Sequence, residues 1–159
     1  MASGPEVARG HPLAVGHGTG TAFVTDPVSF WGGISADDGV IIDVHHRDRG
    51  RSVAGTVLVM PGGRGSSSAS AVLAETLRVG TGPAAVLLAS PDIILAAGSV
   101  VARELYGIEC PIVELDPTSF EAVAACAGAR LRVDATADVA VICALDKRAA
   151  TQSAGGGSF

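Results

Sequence analysis

The apolar positions of the second half of the chain alternate between two spacings. Uninterrupted apolar runs of strand length are followed by segments with apolar residues at helical intervals. This pattern predicts strands over residues 53–60, 84–89, 111–115, 130–134 and 138–143, and helices over residues 67–79, 91–106 and 117–127. Because the strand runs are apolar on both faces, they indicate a sheet covered on both sides and an α/β fold.

The first half of the chain is glycine-rich and shows no helical period. Residues 11–24 and 39–44 predict short strands, and Asp38-Gly39 between apolar neighbours predicts a hairpin. Residues 1–10 and 149–159 lack either pattern and are predicted to be flexible tails. One domain over residues 11–148 remains, with an additional β-rich layer supplied by its first half.

Composition narrows the class of protein. Hydrophobic residues make up 48% of the chain but aromatic residues only 4%, so the core must be built from aliphatic side chains. The net charge is −5, and Asp43 and Asp48 dilute the one arginine-rich stretch, so we expect no nucleic-acid partner. The most apolar stretch, residues 83–102, contains Pro91 and Asp92 at its middle, which favours a strand followed by a helix over a membrane span.

Three cysteines and four histidines are the potential metal ligands. Cys110, Cys126 and Cys143 are odd in number and widely spaced, and no secretory signal precedes them, so we expect reduced thiols in a cytoplasmic protein. His45 and His46 are adjacent, and in a strand their side chains would point in opposite directions. We therefore expect a solvated histidine pair, core thiols and no metal site in this chain.

One loop combines glycines, an arginine and serines, which are residue types suited to anion binding or to a reactive hydroxyl. Residues 61–68 read PGGRGSSS, so a buried strand runs through a glycine-rich turn into three serines at the start of a helix. Unpaired N–H groups and the helix dipole favour an anion, or a serine losing its proton, at that position. Arg64 adds a planar, fixed charge suited to carboxylates. The alternative is that Ser66 or Ser67 only caps the helix.

Familiar phosphate-binding and nucleophile motifs do not fit this loop. A P-loop needs lysine after its last glycine, and the single lysine of the chain is Lys147. A nucleophile elbow needs a glycine two residues after the serine, and a dinucleotide-binding fingerprint needs a different glycine spacing. The loop therefore indicates anion binding or a reactive hydroxyl of another type.

Three segments together resemble the small-subunit family of aconitase X. They are DPVSFWGG (residues 26–33), IID (residues 41–43) and VMPGGRGSSS (residues 59–68), and the similarity extends over about residues 11–145. This family is similar to the swivelling domain of aconitase and isopropylmalate isomerase. The resemblance therefore implies a swivelling β/β/α domain, like domain 4 of aconitase.

The resemblance also implies roles for the loop residues. Those enzymes carry a G-S-S-R motif whose first serine is the catalytic base, and Ser66 matches that serine. Ser67 remains an alternative base, since three serines are adjacent. Ser68 stands where the motif has arginine, and Arg64 is the candidate for a related anion-binding role. The residues expected to bind substrate are Gly63, Arg64, Gly65, Ser67 and Ser68.

The implied activity is that of a hydro-lyase subunit which works only with a large partner. That partner is expected to hold an iron–sulfur cluster or iron, while this chain binds no cofactor. Phe30 and Trp31 are candidates for the subunit interface, because an aromatic pair beside glycines has little reason to be exposed. The alternative is that Trp31 fills one end of a barrel.

The resemblance leaves two substrates open. The expected reaction is dehydration of cis-3-hydroxy-L-proline to Δ1-pyrroline-2-carboxylate, and the alternative is dehydration of 5-phosphomevalonate. One loop arginine and a single lysine are few cations for a phosphorylated substrate, which favours hydroxyproline. A non-catalytic phosphohistidine module is a second alternative. His17, between two glycines, would be its phosphate acceptor, although a turn histidine without such a role is the simpler interpretation.

Overall fold

The structure is a computed structural model that describes residues 4–63 and 66–145. Its strands are β1 (Glu6–Ala14), β2 (Gly16–Val24), β3 (Val57–Met60), β4 (Ala85–Leu88), β5 (Ile112–Glu114), β6 (Arg130–Ala135) and β7 (Ala140–Ala144). Its helices are α1 (Phe30–Gly33), α2 (Ala69–Val79), α3 (Ile93–Tyr106) and α4 (Pro117–Ala124). The alternation predicted for residues 53–145 is therefore observed, and the α/β class is confirmed.

The seven strands close into a barrel in the order β1-β5-β4-β3-β2-β6-β7. Strands β2, β3, β4 and β5 are parallel to one another, whereas β6, β7 and β1 join them by antiparallel pairing. The parallel strands are connected by crossovers that contain helices, as parallel pairing requires. Their carboxyl ends therefore meet at one edge of the barrel.

Alternate residues of the parallel strands face two separate cores. In β3, Val57 and Val59 point into the barrel, whereas Leu58 and Met60 face the helices outside it. Strand β4 repeats this pattern with Ala85 and Leu87 inside and Val86 and Leu88 outside. All eight residues are fully buried, which explains why these strands lack the apolar–polar alternation of a half-exposed sheet.

The helix ends follow from local side chains, with one difference from prediction. Gly80 and Gly107 end α2 and α3 in the left-handed conformation, at φ of 84° and 67°. Ser90 was predicted to cap α3, but the cap is Asp92, whose carboxylate accepts the N–H groups of Ile94 and Leu95. The helix therefore starts two residues later than the Ser-Pro pair indicated.

The amino-terminal prediction is partly wrong. Residues 6–10 belong to β1, which pairs with β7 through Arg9 and Gly10, so they are not a flexible tail. The sequence pattern did not reveal this strand, because Gly10 and Pro12 interrupt its apolar–polar alternation. The predicted tail over residues 149–159 lies outside the described residues.

Residues 25–56 form a 32-residue connection between β2 and β3, here called the excursion. It packs against the outer core, which is the apolar cluster between the barrel and the helices outside it. It contains α1, which is a single distorted turn, and a chain reversal around Gly39, where φ is 71°. That reversal agrees with the predicted hairpin. The predicted strand over residues 39–44 is reduced to isolated bridges between Ile34 and Ile41 and between Val40 and Ser52.

Candidate active site

Ser66 lies beyond the carboxyl end of β3, where the loops after β3, β4 and β5 converge. Ligands of parallel α/β sheets bind at this edge, because the loops and the amino ends of the following helices all face it. In this fold the segment 61–68 leads from β3 to α2, and the segment 89–92 leads from β4 to α3. These two segments build the site.

Ser66 begins a tight turn that leads into α2. Its Oγ accepts the backbone N–H of Ser68 at 3.0 Å, and its carbonyl oxygen accepts the N–H of Ala69 at 3.0 Å. Ser68, the residue before α2, makes no side-chain capping bond. The Ser66 oxygen is thus held at the positive end of the α2 dipole, and its own hydroxyl proton has no acceptor among the described residues.

Ser66 lines a small cavity of about 210 Å³. Five of its eight described lining residues have apolar side chains, and these come from three elements: the excursion, the start of α2 and the start of α3. Among the described lining residues, Ser66 and Asp92 provide the polar side chains. The lining residues are Val28, Phe30, Gly63, Ser66, Ala69, Asp92, Ile94 and Leu95.

A larger cleft of about 560 Å³ opens beyond β5 and contains charged side chains of both signs, including Arg9, Glu114 and Asp116. It contains none of the residues that the sequence predicted for the site. Ser66 combines a hydroxyl group, a position just before a helix and a place on the wall of the smaller cavity. We therefore take the smaller cavity as the candidate active site.

The predicted loop residues divide into three groups. Gly63 and Ser66 line the cavity, as expected of site residues. Ser67 and Ser68 are exposed beside it; the Ser67 carbonyl oxygen accepts the Ser70 hydroxyl, and Ser68 contributes its backbone N–H to Ser66. Arg64 and Gly65 lie outside the described residues.

Asp92 is a site residue that the sequence reasoning missed. Its Oδ1 accepts two N–H groups of α3 at 3.0 Å, and its Oδ2 lies against the α-carbon of Gly63. The signal was present in the sequence, since aspartate before an apolar helical run is a strong capping residue. The prediction instead used the Ser-Pro pattern at Ser90 and Pro91, and it therefore placed the start of α3 two residues too early.

The two aromatic residues predicted for an interface have different environments. Phe30 is 1% exposed and belongs to the outer core, so its side chain cannot contact another subunit. Trp31 is 57% exposed, which also contradicts the alternative that it fills the end of the barrel. The two differ because Trp31 leaves the helical conformation, with ψ of 113°, and Ser29 accepts its N–H.

The cysteines of this chain do not fit an iron–sulfur cluster. Cys110 is fully buried, and burial raises the pKa of its thiol to about 12. Burial also raises the thiol pKa of Cys126 and Cys143, so the thiolate form that a cluster needs is disfavoured. In residues 4–63 and 66–145, no group of three or more Cys, His, Asp or Glu side chains is arranged to hold a metal ion.

The two adjacent histidines are also not a solvated pair. His45 is exposed, but His46 is buried, with Nε2 3.0 Å from the carbonyl oxygen of Asp26 and Nδ1 accepting the N–H of Asp48 at 3.0 Å. His46 therefore fixes the fold of the excursion. The prediction was wrong for this residue because local sequence does not show which side of a loop faces the core.

His17 lies in strand β2 rather than in a turn. Its Nδ1 is 2.7 Å from Asp134 Oδ1, and its side chain is 59% exposed. Asp134 also accepts a bond from Arg132, and these partners lower the pKa of its carboxyl against the opposing effect of burial. Because β2 runs parallel to β3 and His17 is near its amino end, His17 lies at the barrel edge opposite Ser66.

A barrel of this topology, with a hydroxyl-bearing loop at the carboxyl edge of its parallel strands, defines a β/α barrel domain with a candidate site at that edge. The aconitase X swivel domain family matches residues 7–142. The chain belongs to this family. The predicted swivelling-domain fold is thereby confirmed.

Two named relatives carry different activities in their names. The chain is 47% identical over 104 residues to cis-3-hydroxy-L-proline dehydratase of Pseudomonas aeruginosa, covering 65% of this chain and 18% of that protein. It is 34% identical over 133 residues to the phosphomevalonate dehydratase small subunit of Methanothrix thermoacetophila, covering 83% of this chain and 91% of that protein. The chain thus spans less than a fifth of the hydroxyproline dehydratase.

A solved structure has the same fold. Aconitase X of Thermococcus kodakaraensis, in its holo form, superposes with a TM-score of 0.71 at 28% identity. The match covers 90% of this chain and 100% of that chain. No helix among the described residues is long and apolar enough to cross a membrane.

Proposed function

We propose that this chain is the small subunit of an aconitase X-type hydro-lyase and that Ser66 is the base that removes a proton from substrate carbon. The observation that carries the proposal is the position of the Ser66 oxygen just before α2, on the wall of a partly open cavity. Membership of the aconitase X swivel domain family supports the reaction class.

The energetics indicate that this chain cannot activate the serine alone. A helix amino terminus contributes at most about 2 kcal/mol in a favourable site, which corresponds to about 1.5 pKa units. An alcohol needs a larger shift to act as a base at neutral pH. Further positive charge, or a Lewis acid that assists the departing hydroxide, must come from across the cavity.

We therefore infer that a large partner subunit completes the site and holds an iron–sulfur cluster or iron. The disfavoured thiolates of this chain support placing the cofactor in the partner. The name of the Methanothrix relative, a small subunit, supports the partnership. The three free cysteines support a cytoplasmic location.

Exposed Trp31 is the proposed contact with that partner. It follows directly on Phe30, whose side chain lines the Ser66 cavity. A partner that closes the cavity would therefore cover Trp31 as well. Large aromatic side chains that become buried on assembly are the residues that most often dominate binding energy.

For the substrate we propose cis-3-hydroxy-L-proline, which is dehydrated to Δ1-pyrroline-2-carboxylate. The higher identity to the Pseudomonas relative supports this choice, and Asp92, the charged side chain among the described cavity residues, is unfavourable for a phosphate group. The alternative substrate is 5-phosphomevalonate. It is favoured by the match to nearly the whole length of the Methanothrix small subunit.

The test is dehydration by the chain assembled with its large partner, assayed with both substrates. Ser66→Ala is expected to lower kcat by at least about 100-fold, because it removes the base. Ser67→Ala is the matched control and is expected to retain activity, since Ser67 is exposed outside the cavity wall. Full activity of the chain without its partner, or of the Ser66→Ala complex, would refute the proposal.

A further inference from the structure

The loop that carries Ser66 is supported along one side by the segment 89–92, which connects β4 to α3. The carbonyl oxygen of Pro61 accepts two bonds from that segment, one from the N–H of Ala89 at 3.1 Å and one from the Ser90 hydroxyl at 3.2 Å. Both bonds attach the first residue of the Ser66 loop to the neighbouring strand end.

The next two residues of the loop are glycines because the same segment lies against them. A Cβ on Gly62 would be 2.8 Å from Ser90 Oγ, closer than real Cβ atoms approach. A Cβ on Gly63 would overlap Asp92 Oδ2. Neither glycine has a positive φ, so close approach, and not backbone conformation, requires them.

Asp92 is the last contact in this series and the only one that also lines the Ser66 cavity. Its Oδ1 is fixed by the N–H groups of Ile94 and Leu95, so the carboxylate cannot rotate away from Gly63 without uncapping α3. Its Oδ2 receives no hydrogen bond from the described residues. One oxygen thus caps the helix, and the other lies against the loop at Gly63, three residues before Ser66.

We propose that Asp92 is a positioning residue for the dehydration reaction, which acts by holding Gly63 and thereby the Ser66 hydroxyl against the substrate. This inference rests on the proposed role of Ser66. Misplacement of a catalytic group by about 1 Å can cost about 100-fold in rate. Loss of the contact between Asp92 and Gly63 is therefore expected to lower the rate measurably.

The test separates the two oxygens of Asp92. Serine is as good a helix cap as aspartate but has no second oxygen to reach Gly63. In the assembled complex, Asp92→Ser is expected to lower kcat by about 10- to 100-fold while KM and the melting temperature change little. Asp92→Asn keeps an atom at both positions and is expected to retain kcat within about threefold of the parent value.

Asp116 offers a matched control, because it caps α4 by accepting the N–H of Ser119 at 2.7 Å and does not line the Ser66 cavity. Asp116→Ser is expected to leave kcat unchanged. If Asp92→Ser also leaves kcat unchanged, Asp92 is a helix cap only and the proposal is wrong. If Asp92→Asn loses as much activity as Asp92→Ser, charge and not placement is required, which also overturns it.

A double substitution tests the contact itself. Gly63→Ala is expected to lower kcat because its Cβ meets Asp92 Oδ2, and adding Asp92→Ser removes the overlapping atom. The double variant should therefore be more active than Gly63→Ala alone. Losses that simply multiply would show that the two residues are not coupled. If Ser66→Ala stays active, the proposed function fails instead, so the two failures are distinguishable.

Discussion

The loops after β3 and β4 leave neighbouring parallel strands at the same edge of the barrel, and both lead into helices that pack on the outer core. The two helix starts differ in the side chains that accept their backbone N–H groups. At α3, Asp92 accepts two backbone N–H groups with one carboxylate oxygen. At α2, the uncharged Ser66 accepts a single N–H, and Ser68 supplies no side-chain cap.

This difference assigns the two loops separate roles. A carboxylate neutralises the positive end of the α3 dipole, so the β4 loop is closed and serves as a support. A hydroxyl leaves most of the α2 dipole unneutralised, so the β3 loop can stabilise negative charge on Ser66 or on a ligand. Under the proposed function, the same strand–loop–helix geometry therefore gives a structural loop before α3 and a reactive loop before α2, depending on whether a carboxylate stands at the helix start.

Replacing Ser66 with aspartate would place a carboxylate in the turn before α2, as Asp92 does at the start of α3, and should have the largest effect. The carboxylate can still accept the Ser68 N–H, so the melting temperature should stay within about 2 °C of the parent value. Dehydration by the complex should fall at least about 100-fold, because the serine oxygen is lost from its position and the helix dipole is neutralised. Thermal unfolding and turnover, measured on the same preparation, check the predicted stability and the predicted loss of activity.

The start of α2 lies on the cavity that the large partner is proposed to complete, and Trp31 is the expected contact with that partner. Trp31→Ser should weaken binding of the large partner by about 30-fold, which is the loss of a 2 kcal/mol anchor. Tyr106→Ser is the control, because Tyr106 is 43% exposed at the far end of α3, about 20 Å along the helix. Equal weakening by both changes, measured by titration calorimetry, would contradict the assignment.

The smallest expected effect concerns the excursion, which faces both loops and supplies Val28 and Phe30 to the cavity. The Thr25 hydroxyl donates to Asp48, and this bond, together with Arg47 and Arg51, lowers the pKa of the Asp48 carboxyl against the opposing effect of burial. A lowered folded-state pKa stabilises the fold above the ordinary aspartate value. That contribution is lost as the pH falls through the folded-state value.

Thr25→Val should therefore lower the free energy of unfolding by about 2 kcal/mol at neutral pH and by less at acidic pH, below the lowered folded-state pKa of Asp48. Thr76→Val removes a hydrogen bond of similar burial whose acceptor is the Leu73 carbonyl oxygen, which does not titrate. Its effect should be the same at both pH values. Denaturant unfolding of the four combinations measures the difference, and a pH-independent loss for Thr25→Val would contradict the role of Asp48.

The elements of the second half could be predicted because local signals agree with the tertiary structure there. Apolar runs mark β3 and β4, and Gly80 and Gly107 end their helices where the pattern stops. The first half could not be predicted as well. Its strand β1 contains Gly10 and Pro12, and its excursion is held by hydrogen bonds of His46 and Asp48 that no local pattern reveals.

The candidate site shows the same limit. Ser66 could be singled out as a candidate, because a glycine-rich turn followed by serines at a helix start is visible in the sequence, and the structure places Ser66 on a cavity wall. Asp92 could not be placed beside it, because 26 residues and a whole helix separate the two. Their proximity depends on β3 and β4 being neighbours in the barrel.

The sequence by itself determined the class of the fold, the alternation of strands and helices after residue 53 and the loop proposed to carry the chemistry, because these depend on hydrophobic spacing and on residue types adjacent along the chain. Only the tertiary structure decided that Gly62 and Gly63 accommodate the β4 loop, that Phe30 is core while Trp31 is exposed, and that Asp92 and Ser66 line one cavity. The physical reason is that strand pairing and packing bring together residues that are distant in the chain, and local propensities do not encode these contacts.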